Sequence, residues 1–154
     1  MKTVVLLSGG LDSSVLLAWV RNRTPAASVF AVSVDYGQRH RRELLAAASV
    51  AELYRAPHEV IELPVSLMSG SSLTGGGDVP DGHYADPSMR STVVPARNTL
   101  LLAVAAAVAV REKCHEIAYA AHAGDHAIYP DCRPEFISAF GGVLATCDYE
   151  PIQL

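Results

Sequence analysis

Two stretches concentrate side chains that can do chemistry. "SGGLDSS", Ser8 to Ser14, joins two glycines, three hydroxyls and one carboxylate. Gly9 and Gly10 let the backbone turn tightly and aim successive N–H groups inward. With a helix N-terminus behind it, such a nest binds an anion. Ser8, Ser13 and Ser14 add hydroxyl donors. Asp12 repels a phosphate, so it makes sense there only if it holds Mg²⁺ or is tied to backbone donors. The second stretch, "HAGDHAIYPDCRPEF" at 122–136, packs His122, Asp125, His126, Asp131 and Cys132 together. These are metal-ligand types, and a His-x₃-His pair on a helix can seat zinc. Gly124 and Pro130 make it a loop instead, with no cysteine pair, which favours gripping a substrate.

Both stretches need elements to hold them. "TVVLL" (3–7) reads as a strand buried on both faces, followed after the glycine loop by a helix with Val15, Leu16, Trp19 and Val20 on one face. "SVFAVSV" (28–34) is a second strand. The stretch 37–54 is a helix with Leu44, Leu45, Ala48 and Ala51 at helical spacing. "HEVIEL" (58–63) is a more polar third strand, nearer an edge. The apolar run 97–113 is a helix buried in a core, and "EIAYAA" (116–121) a fourth strand. A last helix starts at Pro134 with Phe136, Ile137, Phe140, Val143 and Leu144 on its face, although Gly141 and Gly142 weaken it. Alternating β and α predicts a doubly wound parallel sheet. Ligands of such sheets sit beyond the C-terminal strand ends, which selects the segments after Ser8, Asp35 and His122. Residues 69–92, half of them Gly, Ser or Pro, read as a lid or a disordered loop.

Composition narrows the partners. The 154 residues fit one domain, 1–154, with 18% charged residues and a net charge of −4. That gives no basic footprint for a nucleic-acid backbone, so a small molecule is expected. Three scattered cysteines, Cys114, Cys132 and Cys147, form no disulfide framework, and a reducing, cytoplasmic setting fits. The first residues hold no signal-peptide core, and no apolar run spans a bilayer.

The loop lacks the lysine of the Walker motif and the spacing of the dinucleotide fingerprint. "SGGLDS" between a buried strand and a helix resembles instead the pyrophosphate loop of the PP-loop ATPases, which implies their adenine-nucleotide alpha-hydrolase-like fold. "VDYGQRHRRE" (34–43), "SSLT" (71–74), "STVVPARN" (91–98) and "HAGDHAIYPDCRPEFI" (122–137) resemble one branch, 7-cyano-7-deazaguanine synthase. That family usually has Gly at the position of Ala96. The resemblance implies an ATP-dependent ligase of queuosine-type deazaguanine biosynthesis. Such an enzyme turns 7-carboxy-7-deazaguanine and ammonia into the nitrile, with ATP and Mg²⁺ as cofactors. Rival readings are another PP-loop enzyme, a tRNA thiolase or amide synthetase, and a nucleotide-binding module without turnover.

By that resemblance Ser8, Gly9, Gly10, Leu11, Asp12, Ser13 and Ser14 hold phosphates. Asp35 reaches ribose or adenine, or simply ends its strand in a turn. Arg97 and Asp131 are the catalytic candidates, Arg97 holding a phosphate or the substrate carboxylate. Tyr36, Gln38, Arg39, His40, Asn98, Asp125, Tyr129 and Arg133 fall to the substrate. Asp125 and Asp131 suit the two donors of a guanine-like edge, Tyr129 stacks, and Arg133 pairs with the carboxylate. Plainer readings make Arg39 and His40 part of a solvated basic face and Asn98 a helix N-cap. The family also implies a further strand and a zinc segment with four clustered cysteines, which this sequence does not contain. The expectation is therefore a fold truncated after the fourth strand, with a homo-oligomer or partner chain at the open edge.

Overall fold

The computed structural model describes residues 2–38, 42–64, 66, 94, 96–121 and 129–154. The expected lid at 69–92 lies outside them, as do His122, Asp125, His126, Arg39 and His40. Four parallel strands form one sheet in the order β3-β2-β1-β4. They are β1 (Thr3–Leu6), β2 (Val29–Asp35), β3 (His58–Glu62) and β4 (Glu116–Ala118). Thr3 pairs with Val29 on one side and Glu116 on the other, which makes the first strand central. The more polar β3 occupies an edge, as its composition predicts.

The helices are α1 (Leu11–Arg23), α2 (Arg42–Leu53), α3 (Arg97–Glu112) and α4 (Pro134–Leu144). Strand residues alternate between two cores. Val5, Leu7 and Ala31 pack with Leu17 and Ala47 on the α1/α2 side. Val4, Val32 and Ile117 pack with Leu102 and Leu144 on the α3/α4 side. Covering both faces is what permits an all-parallel sheet of continuous apolar strands.

Three predicted helix faces are corrected. In α1 the buried residues are Ser13, Leu17 and Val20, whereas Val15 and Trp19 stand 58% and 55% exposed. The Arg23 guanidinium covers the Trp19 ring at 4.4 Å, a contact of about 0.5–1 kcal/mol that offsets part of that exposure. In α2, Ala47 and Ala51 face the sheet and Leu45 faces solvent. Small alanines let the helix approach closely, so a leucine beside them loses the competition for the sheet. In α4, Phe136, Phe140 and Leu144 pack inward but Val143 does not. Gly141 and Gly142 lie within the helix, which forms despite them. The apolar run of α3 buries only one stripe, Asn98, Leu102, Ala105, Val108 and Ala109.

The order in which strands are added reverses between β3 and β4. The first three strands step away from the centre through α1 and α2, and the connection carrying α3 returns past β1. A crevice opens at such a switch point, beyond the strand ends. The outer edge of β4, expected to be open, is met by Gln153. Its carbonyl accepts the Ile117 N–H at 2.8 Å and its N–H donates to His115 O at 2.9 Å.

Candidate functional site

The site begins where β1 ends. Leu7 N–H donates to Val32 O at 2.8 Å, and the chain then turns at Gly9 with φ +85°. A Cβ on Gly9 would lie 2.0 Å from the Glu43 carbonyl oxygen and 2.9 Å from the Ala47 nitrogen. The loop therefore rests on the backbone of α2, and only glycine supplies both the conformation and the space.

Behind Gly9 a ring of hydrogen bonds closes. Gly10 N–H donates to Ser8 Oγ at 3.3 Å, Ser8 and Ser13 hydroxyls meet at 3.0 Å, and Ser13 Oγ donates to Gly10 O at 3.1 Å. Because Ser13 spends its proton on Gly10 O, Ser8 is the donor between the two hydroxyls. Ser13 Oγ also accepts the Ser8 N–H at 3.2 Å, while Ser14 Oγ donates to Gly10 O at 2.8 Å. Leu11 and Asp12 are exposed in the first turn of α1. An acidic residue there suits the positive end of the helix dipole, as an anion bound at the same turn would.

After β2 the chain makes a tied turn. Asp35 is buried, and its Oδ1 accepts the Gly37 N–H at 3.0 Å. Gln38 folds back so that Oε1 accepts the Tyr36 N–H at 3.0 Å and Nε2 donates to Val34 O at 3.3 Å. Of the two roles expected for Asp35, the strand-end turn is the one visible in these bonds. Tyr36 is half-buried, and burial raises its phenol above the usual range. The Arg97 charge and a hydrogen bond from Arg97 pull it down, and Glu43 pushes it up.

On the opposite wall α3 starts in an unusual way. Ala96 precedes it at φ 55°, ψ 23°, a left-handed conformation that favours glycine. Asn98 is not the N-cap: it lies in the first turn, buried, and the cap is Asp131. Asp131 Oδ2 accepts the Asn98 N–H at 2.9 Å, and Asp131 O accepts Asn98 Nδ2 at 3.0 Å. The amide also reaches Cys132 Sγ at 3.4 Å. Arg97 lies over the Tyr129 ring at 5.8 Å, so Tyr129, expected to stack on a ligand, already holds a cation. Arg133 is exposed at the N-cap of α4.

Between these walls lies a cavity of about 250 Å³, lined among others by Ser8, Ser13, Tyr36, Gln38, Arg97 and Asn98. It unites two of the three segments that the topology selects, those after Ser8 and Asp35, with the start of α3 and the end of β4. Two polar lining residues were not among the sequence candidates, Glu43 and Tyr119. Tyr119 follows β4 directly, and strand-end position at a switch point was the signal available for it. Its hydroxyl is buried with no hydrogen-bond partner among the described residues. Burial, with Cys132 and Asp131 nearby, pushes the phenol up to about 12, so it stays protonated. Asp125 falls outside the described residues. Among those described, no cluster of three His, Cys, Asp or Glu could hold a metal, and no helix is long and apolar enough to cross a membrane.

A central strand running into a glycine–serine loop, at the switch point of a β3-β2-β1-β4 parallel sheet, defines a PP-loop nucleotide-binding fold. The same fold occurs in the U34-tRNA thiolase NcsA of Methanococcus maripaludis, with TM-score 0.57 and 17% identity over 99% of this chain and 49% of that one. Residues 2–154 match the family described as "Queuosine biosynthesis protein QueC", and the chain belongs to that family. It is 44% identical to the 7-cyano-7-deazaguanine synthase of Pseudoalteromonas translucida, over 99% of this chain and 70% of the relative. The synthase of Marinobacter nauticus is 48% identical over 97% of this chain and 67% of its own length. The chain thus spans about 70% of the length of the first of these relatives.

Proposed function

We propose that the chain is an ATP-dependent carbon–nitrogen ligase that converts 7-carboxy-7-deazaguanine and ammonia to 7-cyano-7-deazaguanine. The observation that carries this reading is the family match over residues 2–154, with the Ser8–Ser14 loop opening on the cavity that Arg97 also lines. Activation of the substrate carboxylate makes its oxygen a leaving group, and ammonia then forms the amide. Activation of the amide oxygen and loss of that oxygen with two protons leaves the nitrile.

The residues suit these steps. The Ser8 and Gly10 N–H groups, with the α1 N-terminus, would hold the departing pyrophosphate. The loop hydroxyls are satisfied by one another, so an anion exchanges partners rather than finding bare donors. Asp12 would bind Mg²⁺ that neutralises phosphate charge. Arg97, steadied by Tyr36 and Tyr129, would hold a phosphate or the substrate carboxylate. Asp35 and Gln38 would shape the nucleoside side through the main chain they fix, and Arg39, His40, Asp125 and Arg133 would complete the substrate side. Small molecules are the expected partners, and a second chain would pair outside the Gln153 segment that already meets the β4 edge.

The test is to incubate the purified chain with ATP, Mg²⁺, ammonia and 7-carboxy-7-deazaguanine and to follow AMP and the nitrile by mass. Nitrile formation is the expected result. ATP binding without AMP release would mark a nucleotide-binding module instead, and the ligase reading would fall.

A further inference from the structure

Arg97 reaches the cavity from the first residue of α3, yet the residue before that turn gives it no side-chain cap. Ala96 offers no side-chain cap and sits in a left-handed conformation. The orphan N–H groups of a helix start need acceptors, normally from the residue just before. Here the Arg97 N–H finds Val94 O at 3.2 Å, but the acceptor for the Asn98 N–H comes from 33 residues later, where Asp131 Oδ2 takes it at 2.9 Å. The second bond, Asn98 Nδ2 to Asp131 O at 3.0 Å, ties the same two residues through side chain and main chain. The Pro130–Cys132 turn and the first turn of α3 thus form one clamped unit. Tyr129, next to that turn, faces the Arg97 guanidinium.

We propose that Asp131 and Asn98 are a positioning pair for Arg97 rather than direct contacts to the substrate. This deepens the ligase reading and rests on Arg97 binding an anionic group in the cavity. A guanine-like edge presents two adjacent donors and suits a carboxylate with both oxygens available. Asp131 has Oδ2 engaged in a charge-assisted bond to the helix start. Removing it frees the turn that carries Arg97, and small displacements of a binding group cost large factors.

The test is a double-mutant cycle, read by calorimetric titration of the full chain with Mg-ATP and, separately, with 7-carboxy-7-deazaguanine. Arg97→Ala should weaken one of these ligands by roughly tenfold or more. Asp131→Ala should weaken the same ligand by a similar factor, and the double variant should be no weaker than Arg97→Ala alone. Asp131→Asn keeps an oxygen for the Asn98 N–H and should retain most of the affinity. It also carries the cycle if the alanine variant does not fold. A direct substrate contact predicts the reverse: Asp131→Asn faces donors with a donor, loses as much as alanine, and adds to the Arg97 loss. That result overturns the proposal, as does an Arg97→Ala variant that weakens neither ligand. If the acid does not bind the native chain while the ATP cycle behaves as stated, the substrate reading fails and the pair stands. If both ligands bind and the losses add, the pair fails and the reading stands.

Discussion

The two segments that frame the cavity are held in opposite ways. Ser8–Ser14 is held largely by itself: its three hydroxyls, the Ser8, Gly10 and Ser14 N–H groups and the Gly10 carbonyl bond one another within five residues of sequence. Ala96–Asn98 borrows its cap from Asp131, across 33 residues. A local network survives changes elsewhere in the fold. A borrowed cap transmits them, so the α3 wall is the part of the site that distant residues can retune.

Breaking the first segment should have the largest effect. Gly9→Ala forces a left-handed alanine against the α2 backbone, where Cβ would meet the Glu43 oxygen at 2.0 Å. The expected loss is about 3 kcal/mol or more in urea denaturation. A loss under about 0.5 kcal/mol would show that the loop does not rest on α2. Ser13→Ala comes next, since it removes a buried hydroxyl that bonds Ser8 Oγ and Gly10 O and accepts the Ser8 N–H. About 1–2 kcal/mol should go. Ser14→Ala should cost clearly less, because Gly10 O keeps its other donors.

The second segment can be sharpened by relief rather than damage. Ala96→Gly should raise stability by about 1 kcal/mol, read as a higher Tm, because glycine accepts φ 55° without strain. An unchanged or lower Tm would argue against that conformation. The smallest effect is in pH, and it reaches the first segment through Leu7. His58 Nε2 lies 2.7 Å from Ser33 Oγ, which donates to Leu7 O at 2.5 Å, so Nε2–H is the donor to Ser33. Burial lowers the His58 pKa below its ordinary 6.5, so the unfolded chain binds the extra proton first. The stability His58 contributes is present above 6.5 and lost as pH falls through the lowered value. His58→Gln should flatten denaturation curves compared at neutral and mildly acidic pH, and an unaltered pH slope would remove His58 from the account.

How much of this was readable in the sequence follows the same division. The βα unit around "VVLLSGGLDSS" and the parallel layout were legible, because apolar runs and glycine turns act within a few residues. The edge position of β3 was legible from its polarity. Helix faces were not, because α1 and α2 carry apolar residues on several sides, and the choice of Leu17 over Trp19 is made by the sheet they meet. Asp131 as a cap was illegible because each partner looks ordinary alone. Asn98 beside a helix start invites the reading that it caps itself, and only the fold brings Asp131 to its N–H. Tyr119 was not legible as a site residue, since a buried hydroxyl with no partner among the described residues is a fact about its surroundings.

The central place of β1 also has a consequence for how the protein is made. Of the four strands β1 leaves the ribosome before the others and lies inside the sheet, and Thr3 waits for Glu116, whose carboxylate it meets at 2.6 Å, across 113 residues of sequence. At about 5–20 residues per second, one flank of β1 stays without its neighbour for roughly ten seconds of synthesis. During that time the apolar strand is a target for other nascent chains and for chaperones. Slowing translation between β3 and β4 should therefore lower the yield of folded protein more than slowing it after β4.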